Sequence, residues 1–163
     1  MADVRFENFS VQVMDALNEA ALQFLEEAAS ELESQAKRRT VVGRVNGSKT
    51  KGAWKHVVDE SKNEAIVGNT EENALWEEFG TGEHALNKDG RKGGWYIPIG
   101  NGEGQISQAV VDAYHMKVVY GKDGKKFAFT EGKKPKRMLH NAFEENKAKI
   151  KRRAEQIFRE RMN

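Results

Sequence analysis

The sequence predicts an α+β fold: an antiparallel sheet with a long N-terminal helix and a C-terminal helix packed on it. Three observations point there. An uninterrupted amphipathic run covers residues 10–39, and a second covers residues 135–161. Between them lie short apolar segments separated by polar and Gly-rich turns. Helices at the two ends and strands between them fit a single domain over residues 1–163, with both helices on one face of a sheet.

The first run is read as one helix because apolar residues recur at Met14, Leu17, Ala21, Phe24, Ala28 and Leu32, in steps of three and four. Ser10 is a plausible N-cap. Neither Gly nor Pro interrupts the run. Residues 41–52 are rich in Gly, Ser, Thr and Lys and read as a flexible loop.

Strand candidates follow at residues 53–58, 64–67 and 95–99. Residues 74–79 fit either the end of a strand or a short helical turn, and periodicity does not decide between them. The Gly-rich segments within 82–105 read as loops. Residues 116–120 and 126–130 flank the pair Asp123-Gly124, a strong hairpin signal, and Phe127 and Phe129 alternate as strand residues do. In the last run the stripe is Leu139, Ala142, Phe143, Ile150, Ala154, Ile157 and Phe158, and Pro135 suits a first helical turn.

Charge is distributed unevenly. The net charge of +2 combines a net of −7 over residues 1–36, balance over 37–116 and a net of +9 over 117–163. Such blocks are either two solvated helix faces or two ends that meet, within a subunit or between neighbours. A basic C-terminal helix also raises DNA binding as an alternative function. No aromatic residues interleave with its basic ones to offer bases a stacking surface.

The residues exclude several chemistries. With no cysteine, disulfides and thiolate metal sites are ruled out. No apolar run approaches the roughly 20 residues of a membrane span, and MADVRFENFS lacks the apolar stretch of a signal peptide. The histidines at 56, 84, 115 and 140 do not pair at metal-ligand spacing, so no metal is expected. GNGEG at 100–104 lacks the Lys-Ser/Thr of a phosphate loop, and GKDGKK has too few carboxylates for a calcium loop. Glu77 and Glu78 could suggest a hydrolase, but no nucleophile–base arrangement is readable around them. The expectation is a chain with no catalytic residues and no cofactor.

The most distinctive stretch is Ala74-Leu75-Trp76-Glu77-Glu78-Phe79-Gly80-Thr81-Gly82. Ala74, Trp76, Glu78, Phe79, Gly80 and Thr81 carry a pattern of small residue, aromatic, Glu and Phe-Gly-Thr. It resembles the neck or tail-completion proteins of long-tailed bacteriophages. Gly132 and Pro135 ahead of Met138, Leu139, Ala142 and Phe143 are similar to the way that family ends. Thr50-Lys51-Gly52-Ala53 matches its Thr-Gly pattern only approximately, and the region 83–115 is longer and richer in Gly.

The resemblance implies a structural virion protein, assembled in the host cytoplasm. Copies would form a homo-oligomeric ring, hexameric by analogy with a sixfold tail, between head-closure or portal-side proteins and the tail terminator or tail tube. DNA would pass non-specifically through the lumen, and no membrane is involved. Met14, Leu17, Phe24, Pro135, Leu139 and Phe143 are the candidate interface residues. In the motif, Phe79 is expected to anchor the core, Gly80 to take a turn closed to other residues and Thr81 to hydrogen-bond that turn.

Overall fold

The computed structural model describes residues 10–40 and 47–162. The α+β class is as expected. Helix α1 spans Ser10–Arg39, within the expected bounds. Ser10 is its first helical residue, and residues 1–9 lie outside those described. Of the loop expected at 41–52, residues 41–46 also lie outside them. The remainder is a short helix, α2 (Gly47–Gly52), whose Lys49 carbonyl accepts from the N–H of Ala53 just beyond it.

The expected single sheet carrying both helices is not formed: the strands divide between two separate antiparallel sheets, and α5 packs mainly on α1. Strands β1 (Trp54–Asp59) and β2 (Glu64–Asn69) form a ribbon in which Val57 faces Ile66. Helix α3 (Glu72–Phe79) follows, so the undecided segment at 74–79 is helical. Strands β3 (Trp95–Pro98), β4 (Lys117–Tyr120) and β5 (Lys126–Thr130) form the second sheet in the order β3-β5-β4. The 82–94 segment is irregular apart from a single 3-10 turn at Gly82–His84. Helix α4 (Gln108–Ala113) was not anticipated; it starts at Ser107, whose hydroxyl accepts from Val110 N–H.

The last helix, α5, runs from Met138 to Met162 rather than from 135. Pro135 is not in its first turn. The Lys136 N–H is spent on the Glu77 carbonyl at 2.6 Å, and Arg137 has a left-handed φ of 53°. Neither residue is therefore available to a regular helix.

Helices α1 and α5 lie antiparallel, and α1 also packs on the β1–β2 ribbon. The core sits where the three meet: Ala36, Trp54, Met138 and Ala142 are all buried, with Leu139 against them. Trp54 is accommodated because its indole N–H donates to Thr40 Oγ1 at 2.8 Å, and that hydroxyl donates to the Ala36 carbonyl. A buried indole needs such a partner. The deepest α1 residues are Ala20, Ala29 and Ala36. Of the expected stripe, Leu17, Ala21, Phe24, Ala28 and Leu32 are half-buried, and Met14 is 62% exposed.

The acidic and basic ends of the chain meet within one subunit. Arg161 pairs with Glu19 at 2.8 Å, Arg153 with Glu27 at 2.6 Å and Lys149 with Glu31 at 2.9 Å, while Arg39 pairs with Glu145. The hydrogen bonds from Arg153 and then Gln23 pull the Glu27 carboxyl down to about 2. Lys149, then Gln35, lower Glu31. Each exposed pair contributes little stability, but the row admits only one register.

His56 closes the gap between ribbon and helix. Its Nδ1 lies 2.6 Å from Glu33 and its Nε2 3.1 Å from Glu26. The Glu26 and Glu33 carboxylates raise its pKa above 6.5 against a smaller opposing effect of burial. A group with a raised folded-state pKa stabilises the fold fully below its unfolded value, here 6.5, and loses that contribution as pH rises through the folded value. His56→Gln is therefore expected to lower the melting temperature more at about pH 5.5 than at about pH 9. Equal losses at the two pH values in thermal melts would contradict this.

Candidate functional site: the 74–81 turn

The distinctive segment forms a clasp between α3 and the start of α5. Helix α3 is anchored first. Asn69 accepts from Glu71 N–H at 2.9 Å and donates to the Thr50 carbonyl, and Asn73 donates to Thr50 Oγ1. Ala74 is buried on the inner side of the helix. The helix ends as Gly80 N–H bonds the Trp76 carbonyl at 2.9 Å.

Gly80 then turns the chain with φ +73° and ψ 174°. A Cβ there would stand 2.7 Å from the His84 carbonyl oxygen, 2.9 Å from that of Lys133 and 2.9 Å from Pro135 Cδ. Both the conformation and the space require glycine, as expected. Contrary to the expectation, the Thr81 side chain bonds not its own turn but the distant Lys133. Its Oγ1 accepts from Lys133 N–H at 2.9 Å, and its own N–H donates to the Lys133 carbonyl at 2.9 Å. Glu83 N–H adds a further bond to the Glu131 carbonyl.

The two adjacent glutamates have different tasks. Glu78 reaches α5, where its two carboxylate oxygens accept from Leu139 N–H and His140 N–H, each at 2.9 Å. These are donors of the first helical turn, which have no intrahelical acceptor. Negative charge there also complements the helix dipole. Glu77 is buried at 7% exposure and is held by Lys133 and Lys136. Its Oε2 stands 2.6 Å from Lys136 Nζ in an ion pair. Burial alone would push this carboxyl up. The two lysines outweigh it and hold the pKa below 4.5. With a depressed pKa, the Glu77 contribution to stability is present above pH 4.5 and is lost as pH falls through the folded value.

Phe79 does not anchor the core, because it is 48% exposed. On α3 the inward positions are taken by Ala74 and Glu77, which places Leu75, Trp76 and Phe79 outside at 57%, 44% and 48% exposure. Leu75 and Phe79 share one helix face. The exposed Leu86 joins them through its N–H bond to the Phe79 carbonyl. Trp76 borders a cleft of about 1180 Å³ that also has Trp95, Tyr114, Phe129, Thr81 and Lys133 on its walls. Among the described residues no three His, Asp or Glu side chains are grouped to hold a metal ion.

The expected interface residues are not brought together. Met14, Leu17 and Phe24 lie along α1, where Met14 is exposed and the other two are half-buried. Pro135 packs beside Gly80 and Leu139 beside the core, so both serve the inside of the chain. Phe143 is 47% exposed on α5. The two-handed role of Glu78 was missed from sequence because its partners lie 61 and 62 residues away.

Two substitutions test this clasp. Gly80→Val is expected to destabilise the fold by about 1–3 kcal/mol, read as a lowered denaturant midpoint; an unchanged midpoint would refute the requirement for glycine. Glu78→Ala is expected to cost about 1–2 kcal/mol as the α5 cap is lost. Hydrogen exchange should then show faster exchange at Leu139 and His140 than in the unsubstituted chain. Unchanged protection there would remove Glu78 from the role of cap.

No family model, no curated protein and no solved structure matches this chain.

Proposed function

We propose that this chain is a structural subunit of the neck of a long-tailed bacteriophage. Copies form a ring, six in number by the resemblance, that joins the head-closure or portal side to the tail and lets DNA pass. One observation carries the reading. The 74–81 motif, on which the resemblance rests, has two faces. Its polar and small residues close the clasp inside the chain, while Leu75, Trp76 and Phe79 are presented outside. Exposed apolar groups that lie close together on a rigid support are built for contact with another protein.

The DNA-binding alternative draws on the cations of α5. Lys149, Arg153 and Arg161 are already engaged by Glu31, Glu27 and Glu19. These three cations are answered within the chain, which leaves fewer on α5 to meet phosphates and favours the assembly reading. No residue is proposed as catalytic, and no cofactor is required.

A phage lacking this gene is expected to make DNA-filled heads and separate or loosely attached tails, counted by electron microscopy. Loss of capsids or of DNA packaging, or a normal yield of infectious particles, would refute the neck role.

A further inference from the structure

The β1–β2 ribbon has two faces of opposite character. Trp54 and His56 point to the α1 side, one into the core and the other onto Glu33. Alternation along the strand therefore turns Lys55 and Val57 outward. Cross-strand partners share a face, so Gly68 stands beside Lys55, Ile66 beside Val57 and Glu64 beside Asp59. This outer face is bare: Val57 is 66% exposed, Ile66 is 61% exposed, and a Cβ on Gly68 would meet nothing within 4 Å. Its two ends carry opposite charge. Lys55 stands at one end and Glu64 at the other, about 13 Å away along the strands. Both are exposed, and neither makes an ion pair among the described residues.

The outer face of α3 matches it in reverse. Glu72, Leu75 and Phe79 stand on one side of the helix, at spacings of three and four. At eight residues the helix is about 12 Å long. Glu72 opens it, Leu75 and Phe79 follow, and Leu86 joins them at its far end. Lys88 comes close behind Leu86, with its N–H on the Ala85 carbonyl. Glu72 and Lys88 are exposed and make no ion pair among the described residues. The ribbon thus reads base, apolar, acid, and α3 with its following turn reads acid, apolar, base over a similar length.

We propose that the outer face of α3 in one copy packs on the outer face of the β1–β2 ribbon in a second copy. Leu75, Phe79 and Leu86 cover Val57 and Ile66, Glu72 meets Lys55, and Lys88 meets Glu64. The complement of each face is present on the chain itself, so a second copy supplies it. The apolar centre gives the contact its affinity, and the charges at its ends set its direction. The inference deepens the ring reading and rests on it for the closure of the contact. The two faces are different surfaces, so the contact can pass from copy to copy around a ring.

The chain has no cysteine, so introduced ones report this contact alone. Lys55→Cys and Glu72→Cys are made as separate variants of the full chain. Mixed in equal amounts and oxidised, they are expected to give a disulfide-linked pair on a non-reducing gel, whereas each variant alone stays at the mass of one chain. A mixture without linked pairs, or pairs formed as readily by one variant alone, would overturn the contact. Charge reversal reads its strength. Lys55→Glu and Glu72→Lys are each expected to weaken self-association about tenfold or more in sedimentation, because like charges then meet. An equal mixture should recover it, since the introduced glutamate of one variant meets the introduced lysine of the other. Recovery also shows that both variants fold. Single variants that associate like the unsubstituted chain, or a mixture that fails to recover, would overturn the contact while leaving a ring possible by other surfaces. An unsubstituted chain that stays monomeric at every concentration would overturn it too and leave both faces to a different protein. Recovery in a particle that stops at two copies, weighed by native mass spectrometry, would uphold the contact and count against the ring.

Discussion

The start of α5 depends on a carboxylate that belongs to another part of the chain. The first turn of that helix contains no acidic residue, and its N-terminal amides have no acceptor of their own. Glu78 supplies both oxygens, to Leu139 and His140. Because Glu78 sits on α3, and α3 is tied to Thr50 through Asn69 and Asn73, the origin of α5 is fixed relative to the β1–β2 ribbon. Met138 and Ala142 then fall beneath Trp54 and Ala36, where the core forms. Moving the cap would move the core.

From that origin α5 follows α1 for most of its length, and two kinds of residue share the work. Ala36 of α1 and Ala142 of α5 lie together in the core and contribute close packing rather than large buried area. The charged rows on either side contribute register. Exposed ion pairs are screened by salt and weak one by one, yet a shifted register would set several charges against the wrong neighbours. The helices are thus held together by the core and kept in step by the charges.

Much of this was legible in the sequence, and what was not has a common cause. The bounds of α1 follow from an unbroken amphipathic run. Strand β5 follows from alternation around Phe127 and Phe129, and the glycine requirement at 80 from a turn-forming Phe-Gly-Thr. All of these are local patterns. The first residue of α5 was misplaced at 135 because the acceptors that decide it, the Glu77 carbonyl and the Glu78 carboxylate, come from some sixty residues away. On α1 the stripe is met in all but its first member: Leu17, Ala21, Phe24, Ala28 and Leu32 are half-buried, and Met14 is exposed. Phe79 looked like a core anchor because aromatic residues usually are, but α3 turns Ala74 and Glu77 inward instead. Helices α2 and α4 span six residues each, too few to establish a period.

The clasp has one more consequence, for how such a chain can change over generations. Thr81 and Lys133 are bonded to each other in both directions, and Glu83 to Glu131 beside them. Everything between, including the β3-β5-β4 sheet and α4, therefore leaves and returns at nearly the same point. A segment with adjacent ends can be lengthened, trimmed or exchanged without displacing the elements that hold them. The Gly-rich region 83–115 lies wholly inside this excursion, so its length and surface can be altered while the helical pair and its core stay in place.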